Sequence, residues 1–428
     1  MRASINKACL FFILLDNIFL PIDLGVDFRL NYFVMLGYII YYFCTHRKIK
    51  LTSNEIVFLA AGTAVFIFLT VFFAVSYPLV LKQLLLITIT LLFSFLLLNS
   101  YNFNIERLFK DYIDFIFLAG LLVVVQVFGV LLKMNFLVDY SYFGIDTGRI
   151  DLNAARGRFH AWFYEPSFMA YAFTPVVFIS IAKLFNIGNL LSKKKAIFII
   201  TMLILTRSSI GLLGVLLSAI IISFSKYPIY RKPIFIVISI ATILLSSLAM
   251  YKMPAVKMRV NETYQLFSQE RVKSEEVAKT NLSTYALYSN FKISQAAIKE
   301  NIFFGTGLGT YELNYDKYLF KVIPPSNWRD NFKINRQDAN SLFLRMFVEM
   351  GLLGIIFMVY FIWKNRMRYN EQQSKLKENL WCINNGIFVL IILRLLRQGH
   401  YTMLGFLLMV LIFYYSKKLA NSAAISHI

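Results

Sequence analysis

Runs of about twenty apolar residues, each long enough to cross a hydrocarbon core of about 30 Å, recur along the chain, for example at 56–76, 112–132 and 341–363. What remains could not cover the surface of a water-soluble fold. Charged residues make up 16% of the 428 residues and the mean hydropathy is +0.62, against about 25% charged in soluble domains. The expected fold is all-α, a polytopic membrane bundle of about 12 transmembrane helices.

Spans are read near 8–23, 29–44, 55–76, 79–98, 112–132, 166–185, 196–206, 208–225, 233–251, 341–363, 379–396 and 401–416. This divides the chain into 1–251 (nine spans with an outer loop at 133–165), a long periplasmic loop at 252–340, and 341–428 (three spans and a cytoplasmic tail).

The net charge of +21 would suit a nucleic-acid partner, but its distribution argues for none. Basic residues gather in short connections: Arg47, Lys48 and Lys50; Lys193 to Lys195; Arg231 and Lys232; Lys364, Arg366 and Arg368; Lys417 and Lys418. That is the positive-inside pattern. It places both termini in the cytoplasm and the chain in the bacterial inner (cytoplasmic) membrane. Arg2 and Lys7 before an apolar stretch resemble a signal peptide, yet Asp16 interrupts the stretch and no small-residue cleavage site follows, so it reads as the first span. Cys9, Cys44 and Cys382 lie in or beside apolar runs, and none falls in the long loop to suggest a disulfide framework there.

The stretch 193–232 is bounded by basic clusters, so both ends belong on the cytoplasmic side. Arms of about 11 and about 17 residues, at 1.5 Å each, make a hairpin whose first arm barely spans. Its tip, Thr206-Arg207-Ser208-Ser209, places Arg207 at or just below the outer surface. A charge there needs a polar cavity or a counter-ion, or snorkels to the interface. The loop 252–340 carries 13 Lys and Arg and is too long for a bare connector. Within it, 281–301 reads as an amphipathic helix with Leu287, Phe291 and Ile298 on one face and Ala297 beside them. A helical cap over the outer mouth of the bundle is expected.

The cytoplasmic connections are too short for a nucleotide-binding module. There is no P-loop, no HExxH, no Cys/His cluster of metal spacing and no GxSxG, so no metal and no cofactor are expected. Gly305, Gly307 and Gly309 lack a βαβ context and read as a tight turn where backbone approaches another segment. Arginines at outer span ends stand out: Arg156 and Arg158 before the span at Pro166, Arg207, and Arg394 with Arg397 at i, i+3 on one face. A guanidinium fork binds phosphate oxygens bidentately, which suits a lipid-linked phosphate or pyrophosphate; phospholipid headgroups are the alternative. Arg394, the deeper of its pair, is expected to matter more. Glu165 has helix-start chemistry beside Pro166. Arg345 and Glu349, at i, i+4 inside a span, can pair and spare each other's desolvation.

The sequence Gly157-Arg-Phe-His-Ala-Trp-Phe-Tyr-Glu-Pro-Ser-Phe-Met-Ala170 resembles the outer-loop motif of the polysaccharide repeat-unit polymerases (the Wzy class). Leu205-Thr-Arg-Ser-Ser-Ile-Gly211 is similar to their short Ser/Arg hairpin, and Gly305-Thr-Gly-Leu-Gly-Thr310 to their glycine-rich loop. Residues 340–354 resemble the start of the span after the long loop. The likeness covers about 150–355, and the span pattern extends it. Related O-antigen ligases carry a His before the Asn at the loop exit, where this chain has Ala339 before Asn340. That departure favours polymerase over ligase.

The resemblance implies a membrane glycosyltransferase. A terminal sugar hydroxyl would attack the anomeric carbon of a polyprenyl-pyrophosphate-linked glycan at the outer face. It implies Arg158 and Arg207 as catalytic cations and places Arg271 in the loop stretch where relatives carry basic residues; Arg394, Arg397, Arg156, Asn340 and Arg271 are taken together as the expected substrate-binding residues. Lys292 shares the loop stretch with Arg271. His160, Glu165, Asp338 and His400 are the reachable bases. Expected partners are the lipid-linked glycan, membrane lipids, a chain-length regulator and a flippase. A secondary transporter of lipid-linked oligosaccharide or a non-catalytic envelope scaffold are the readings from other classes.

Overall fold

The fold is a computed structural model that describes residues 2–23, 27–45, 62–63, 67, 70–147, 150, 158–226, 251–252, 254–269, 272–325, 333–371 and 373–425. It is an all-α membrane bundle. Its helices are α1 (Arg2–Phe12), α2 (Leu30–Thr45), α3 (Tyr77–Ser100), α4 (Ile105–Leu132), α5 (Pro166–Leu184), α6 (Lys193–Leu205) and α7 (Ser209–Lys226). There follow α8 (Pro254–Ser268), α9 (Ser274–Lys279), α10 (Leu282–Ile298), α11 (Tyr311–Val322), α12 (Leu342–Asn365), α13 (Lys375–Leu396) and α14 (Phe406–Ile425). Among the described residues, seven helical segments are long and apolar enough to cross a membrane. The expected spans at 55–76 (in large part) and 233–251, with the basic residues Arg47, Lys48, Lys50, Arg231 and Lys232, lie outside the described residues.

One expected span is corrected. The helix expected over 8–23 stops at Phe12, and Phe19–Asp23 pairs antiparallel with Asp27–Arg29 as a small hairpin. Asp16 explains the break. Its carboxylate accepts the Leu404 backbone N–H at 3.0 Å and is buried. Asn17 donates to the carbonyls of Asp146 and Trp162 at 2.6 and 2.8 Å. Side chains that serve other segments' backbone compete with continuing their own helix.

The most buried spans are α5 and α13, each with 78% of its apolar window inside the protein. Small residues let the helices close up, as membrane helix contacts require. A Cβ on Gly386 of α13 would stand 2.6 Å from the Pro175 carbonyl oxygen of α5. Gly211 and Gly214 of α7 meet Ala170 and Thr174 of α5 in the same way. Caps follow the sequence: Asn104, Ser192, Ser341 and Ser374 each accept a backbone N–H in the first turn of α4, α6, α12 and α13.

The segment between α7 and α12 has its own hydrophobic cluster, in which Val277, Tyr285, Ile293, Tyr311 and Tyr315 join Val348 of α12. It forms the cap at one end of the bundle. The expected face of α10 is wrong in detail. Phe291 is exposed and Leu287 half-buried, while Tyr285, Tyr288, Ser289, Ile293 and Ala297 are buried. The partner, α11, presents tyrosines, and Tyr311 donates to Asn290 at 2.9 Å. Small and polar side chains therefore fill that seam.

The glycine loop joins cap to bundle in a way only its backbone permits. α12 is broken at Gly351 (φ +63°, ψ −162°). The freed carbonyls of Val348 and Glu349 accept N–H bonds from Thr306 (3.0 Å) and Gly307 (2.9 Å). The N–H groups of Leu352 and Leu353 donate to Ile302 (2.8 Å) and Phe303 (3.2 Å). Gly305 and Gly351 face each other's strands so closely that a Cβ on either would lie within 2.6 Å of backbone atoms. Irregular backbone inside a membrane bundle is stable where another segment repairs its hydrogen bonds. The expected close-approach turn is what the structure contains.

Candidate functional site

At the cap end, α12, α13 and the turn between α13 and α14 enclose a polar nest. Arg345 donates through Nε to Glu349 (2.9 Å), through Nη1 to the Gly399 carbonyl (3.1 Å) and through Nη2 to Gln83 of α3 (3.0 Å). Its guanidinium lies 4.4 Å from the Tyr401 ring centre, and the Tyr401 hydroxyl donates to Glu349 at 2.8 Å. This pair is satisfied by protein and holds the nest together, as its spacing suggested.

Arg394 is 1% exposed. Its Nη1 donates to the His400 carbonyl (3.1 Å) and Nη2 to the Met403 carbonyl (2.7 Å), while Nε has no partner among the described residues. Tyr171 of α5 donates to the Arg397 carbonyl at 2.5 Å and sits within electrostatic reach of Arg394, Arg397, Glu165 and Asp338. The Arg397 side chain is half-buried and makes no hydrogen bond or ion pair with a described residue. The two arginines thus do different work: Arg394 shapes the 397–403 turn, and Arg397 is left for something else.

Asp338 and His400 meet at the rim. The Asp338 carboxylate accepts from Asn335 Nδ2 (2.8 Å) and the Asn340 N–H (3.2 Å), and lies 3.5 Å from His400 Nε2. Gly399 lets the turn approach: a Cβ there would stand 1.6 Å from the Asp338 carbonyl oxygen. Arg336 pins the same strand to the cap through Asp316 and Glu312 of α11. Burial lowers the His400 pKa, Asp338 opposes this, and the Arg345, Arg29 and Arg394 charges reinforce it, to about 4. The ring keeps 29% of its surface open; screening there tempers the shift without reversing it. At neutral pH His400 is an uncharged base.

Asn340, at φ +53°, is buried with its side-chain nitrogen unpartnered among the described residues. Arg207 is exposed at φ +50° between buried Thr206 and Ser208. It stands seven residues before Gly214, which packs on Leu393, and so about 10 Å further toward the cap along α7. Glu165 is exposed at the N-terminus of α5 and accepts from Ser167. Arg158 is exposed. His160 is 2% exposed, its backbone held by Gln126 of α4. Lys292 lies on α10 over the Tyr288 ring. Arg156 and Arg271 lie outside the described residues.

Sequence reasoning missed Arg29, Asp16, Tyr171 and Tyr401. Asp16 carried a signal, an acid inside an apolar stretch. Arg29 lies 3.9 Å from it. Among the described residues no group of three or more His, Cys, Asp or Glu could hold a metal.

Residues 196–359, somewhat less than half of the chain, match the model of the O-antigen ligase family. The match spans the Arg207 hairpin, the cap and the first part of α12. No curated protein matches the chain.

Proposed function

We propose that the chain is a membrane glycosyltransferase acting on lipid-linked glycans, and specifically a polymerase of polyprenyl-pyrophosphate-linked repeat units. The observation that carries this reading is the rim itself. Arg397 has no protein counter-charge among the described residues, and close to it, where the Gln398 N–H donates to the Asn340 carbonyl at 3.0 Å, stand two buried unpartnered donors, Arg394 Nε and Asn340 Nδ2; Arg207, exposed at its hairpin tip, likewise has no counter-charge among the described residues. Buried polar groups without partners ask for an explanation, and an anionic, hydroxyl-rich substrate supplies one. The family match supports glycan chemistry in general and is equally consistent with a ligase.

In the proposed reaction the acceptor sugar hydroxyl attacks the anomeric carbon of the donor glycan. The bond from that carbon to the pyrophosphate oxygen breaks, and polyprenyl pyrophosphate departs with the electron pair. Arg207 and Arg397 would meet the developing charge, the dominant way a fixed site lowers such a barrier. Neutral His400, steadied by Asp338, would take the hydroxyl proton. Ala339 supports polymerase over ligase: it is fully buried, so position 339 offers no base. Glu165, at the N-terminus of α5 and within electrostatic reach of Tyr171, would stand at the approach.

The test is reconstitution with a polyprenyl-pyrophosphate oligosaccharide and no added nucleotide or metal. A ladder of lengthened products supports the polymerase. Single transfer to a different lipid acceptor supports the ligase. Movement of unaltered substrate across the vesicle wall would replace both with transport.

A further inference from the structure

At the end of the bundle away from the cap, a cavity of about 360 Å³ is lined by Trp363, Lys364, Arg366, Arg368 and Lys417. We propose that it binds the phosphate of an anionic glycerophospholipid as a specific site, independent of the glycan reading. It is open to its surroundings, as a site for a headgroup at the membrane surface would be: Trp363, Lys364, Arg366 and Arg368 are all exposed.

Positive-inside charge accounts for basic residues in this region, but not for how firmly these are held. The chain leaving α12 is fixed by two buried asparagines of α13. Asn384 accepts the Met367 N–H (2.8 Å) and donates to the Asn365 and Phe413 carbonyls (3.1 and 2.9 Å) and to Ser416 (2.9 Å). Asn385 donates to the Met367 carbonyl (3.1 Å) and accepts from Arg366 Nε (3.3 Å). The Arg366 guanidinium rests 4.2 Å from the Phe388 ring centre. Hydrogen bonds therefore fix the irregular turn at 365–367, and Arg366 and Arg368 lie exposed on it. Burial and the Arg368 charge both lower the Arg366 pKa. Among the described residues no carboxylate pairs with any of the four cations. The missing charge is an anion.

Trp363, 71% exposed, and Tyr360, half-exposed with Lys364 above its ring, mark this level as the headgroup zone. A lipid phosphate arrives there with its acyl chains already in place, which favours it over a soluble anion.

Purified protein in detergent is titrated with dioleoyl phosphatidylglycerol, and native mass spectrometry reads retained lipid. One lipid per chain is expected under conditions that retain no phosphatidylcholine, with retention weakened about tenfold or more in Arg366→Gln/Arg368→Gln. Lys364→Gln/Lys417→Gln, whose side chains do not hold the turn, should show the same loss and covers the case in which the first variant fails to fold. Lys193→Gln/Lys194→Gln, basic residues at the same end but outside the cavity, should retain the lipid. Undiminished retention in the cavity variants, equal loss in the control pair, or displacement by millimolar inorganic phosphate would each overturn the proposal, the last by pointing to a soluble anion.

Discussion

Arg345 and Glu349 face each other at 2.9 Å one turn apart on α12, with side chains 5% and 0% exposed. Breaking such a buried pair from one side leaves a stranded charge, at about 3–5 kcal/mol. Glu349→Gln should therefore lower the thermal unfolding temperature of the detergent-solubilised protein sharply. Arg345→Met/Glu349→Leu should cost less than the two single changes added together. An additive double mutant would show that the two charges are not coupled.

The spliced break in α12 makes glycine indispensable at two positions for different reasons than at a third. Gly144 has φ +73° and open space around it, so Gly144→Ala meets only the left-handed penalty of about 1–2 kcal/mol. Gly351→Ala and Gly305→Ala add collisions with backbone at 2.4–2.6 Å. Size-exclusion profiles should show monodisperse protein for the first and aggregated or absent protein for the other two.

Arg207→Gly separates strain from chemistry. Glycine relieves the positive φ, so folded yield should hold or rise, while chain extension should fall at least a hundredfold if the guanidinium meets pyrophosphate charge, a loss comparable to removing one oxyanion donor. Arg207→Lys should also be damaged, because an ammonium keeps the charge but loses the fork. Full activity in Arg207→Lys at normal protein level would remove this residue from the site. Arg397→Gln should lose activity with little change in unfolding temperature. Arg394→Gln should lose both, since the carbonyls of His400 and Met403 lose their donor.

His400 gives the pH dependence its sign. Its folded pKa, about 4, lies below the ordinary imidazole value of 6.5. Between those values the unfolded chain binds a proton that the folded chain does not, so stability falls as pH drops from 6.5 toward 4. The base form persists over the same window, and kcat/KM should hold to about pH 5 before its acid limb. Asp338 raises the His400 pKa, so Asp338→Asn should move that limb to lower pH. A limb that moves upward, or a profile unaffected by His400→Gln, would exclude the imidazole as the base.

The spans were legible because lipid imposes a length and a composition on them. Helices expected at 79–98 and 166–185 are found at Tyr77–Ser100 and Pro166–Leu184. Pro166 and the serine caps are local signals, and local signals survive in a sequence. The first span was misjudged because the partner that ends it, the Leu404 N–H, lies 388 residues away from Asp16. The Asp338–His400 meeting was invisible for a similar reason: each was a candidate alone, and only Gly399 brings them together. Ranking Arg394 above Arg397 by depth hid that the Arg394 guanidinium is largely engaged by the His400 and Met403 carbonyls.

The four backbone bonds exchanged between 302–307 and 348–353 rivet the roof to the walls. Lifting it would leave amide groups bare in apolar surroundings, at several kcal/mol for each unsatisfied group. On the proposed glycan-lipid reading the cap is then no hatch, and traffic through the site would be sideways. A substrate whose tail never leaves the bilayer can slide in between helices and depart the same way, so the doorway to look for is a gap in the flank of the bundle, level with Arg397, rather than an opening above it.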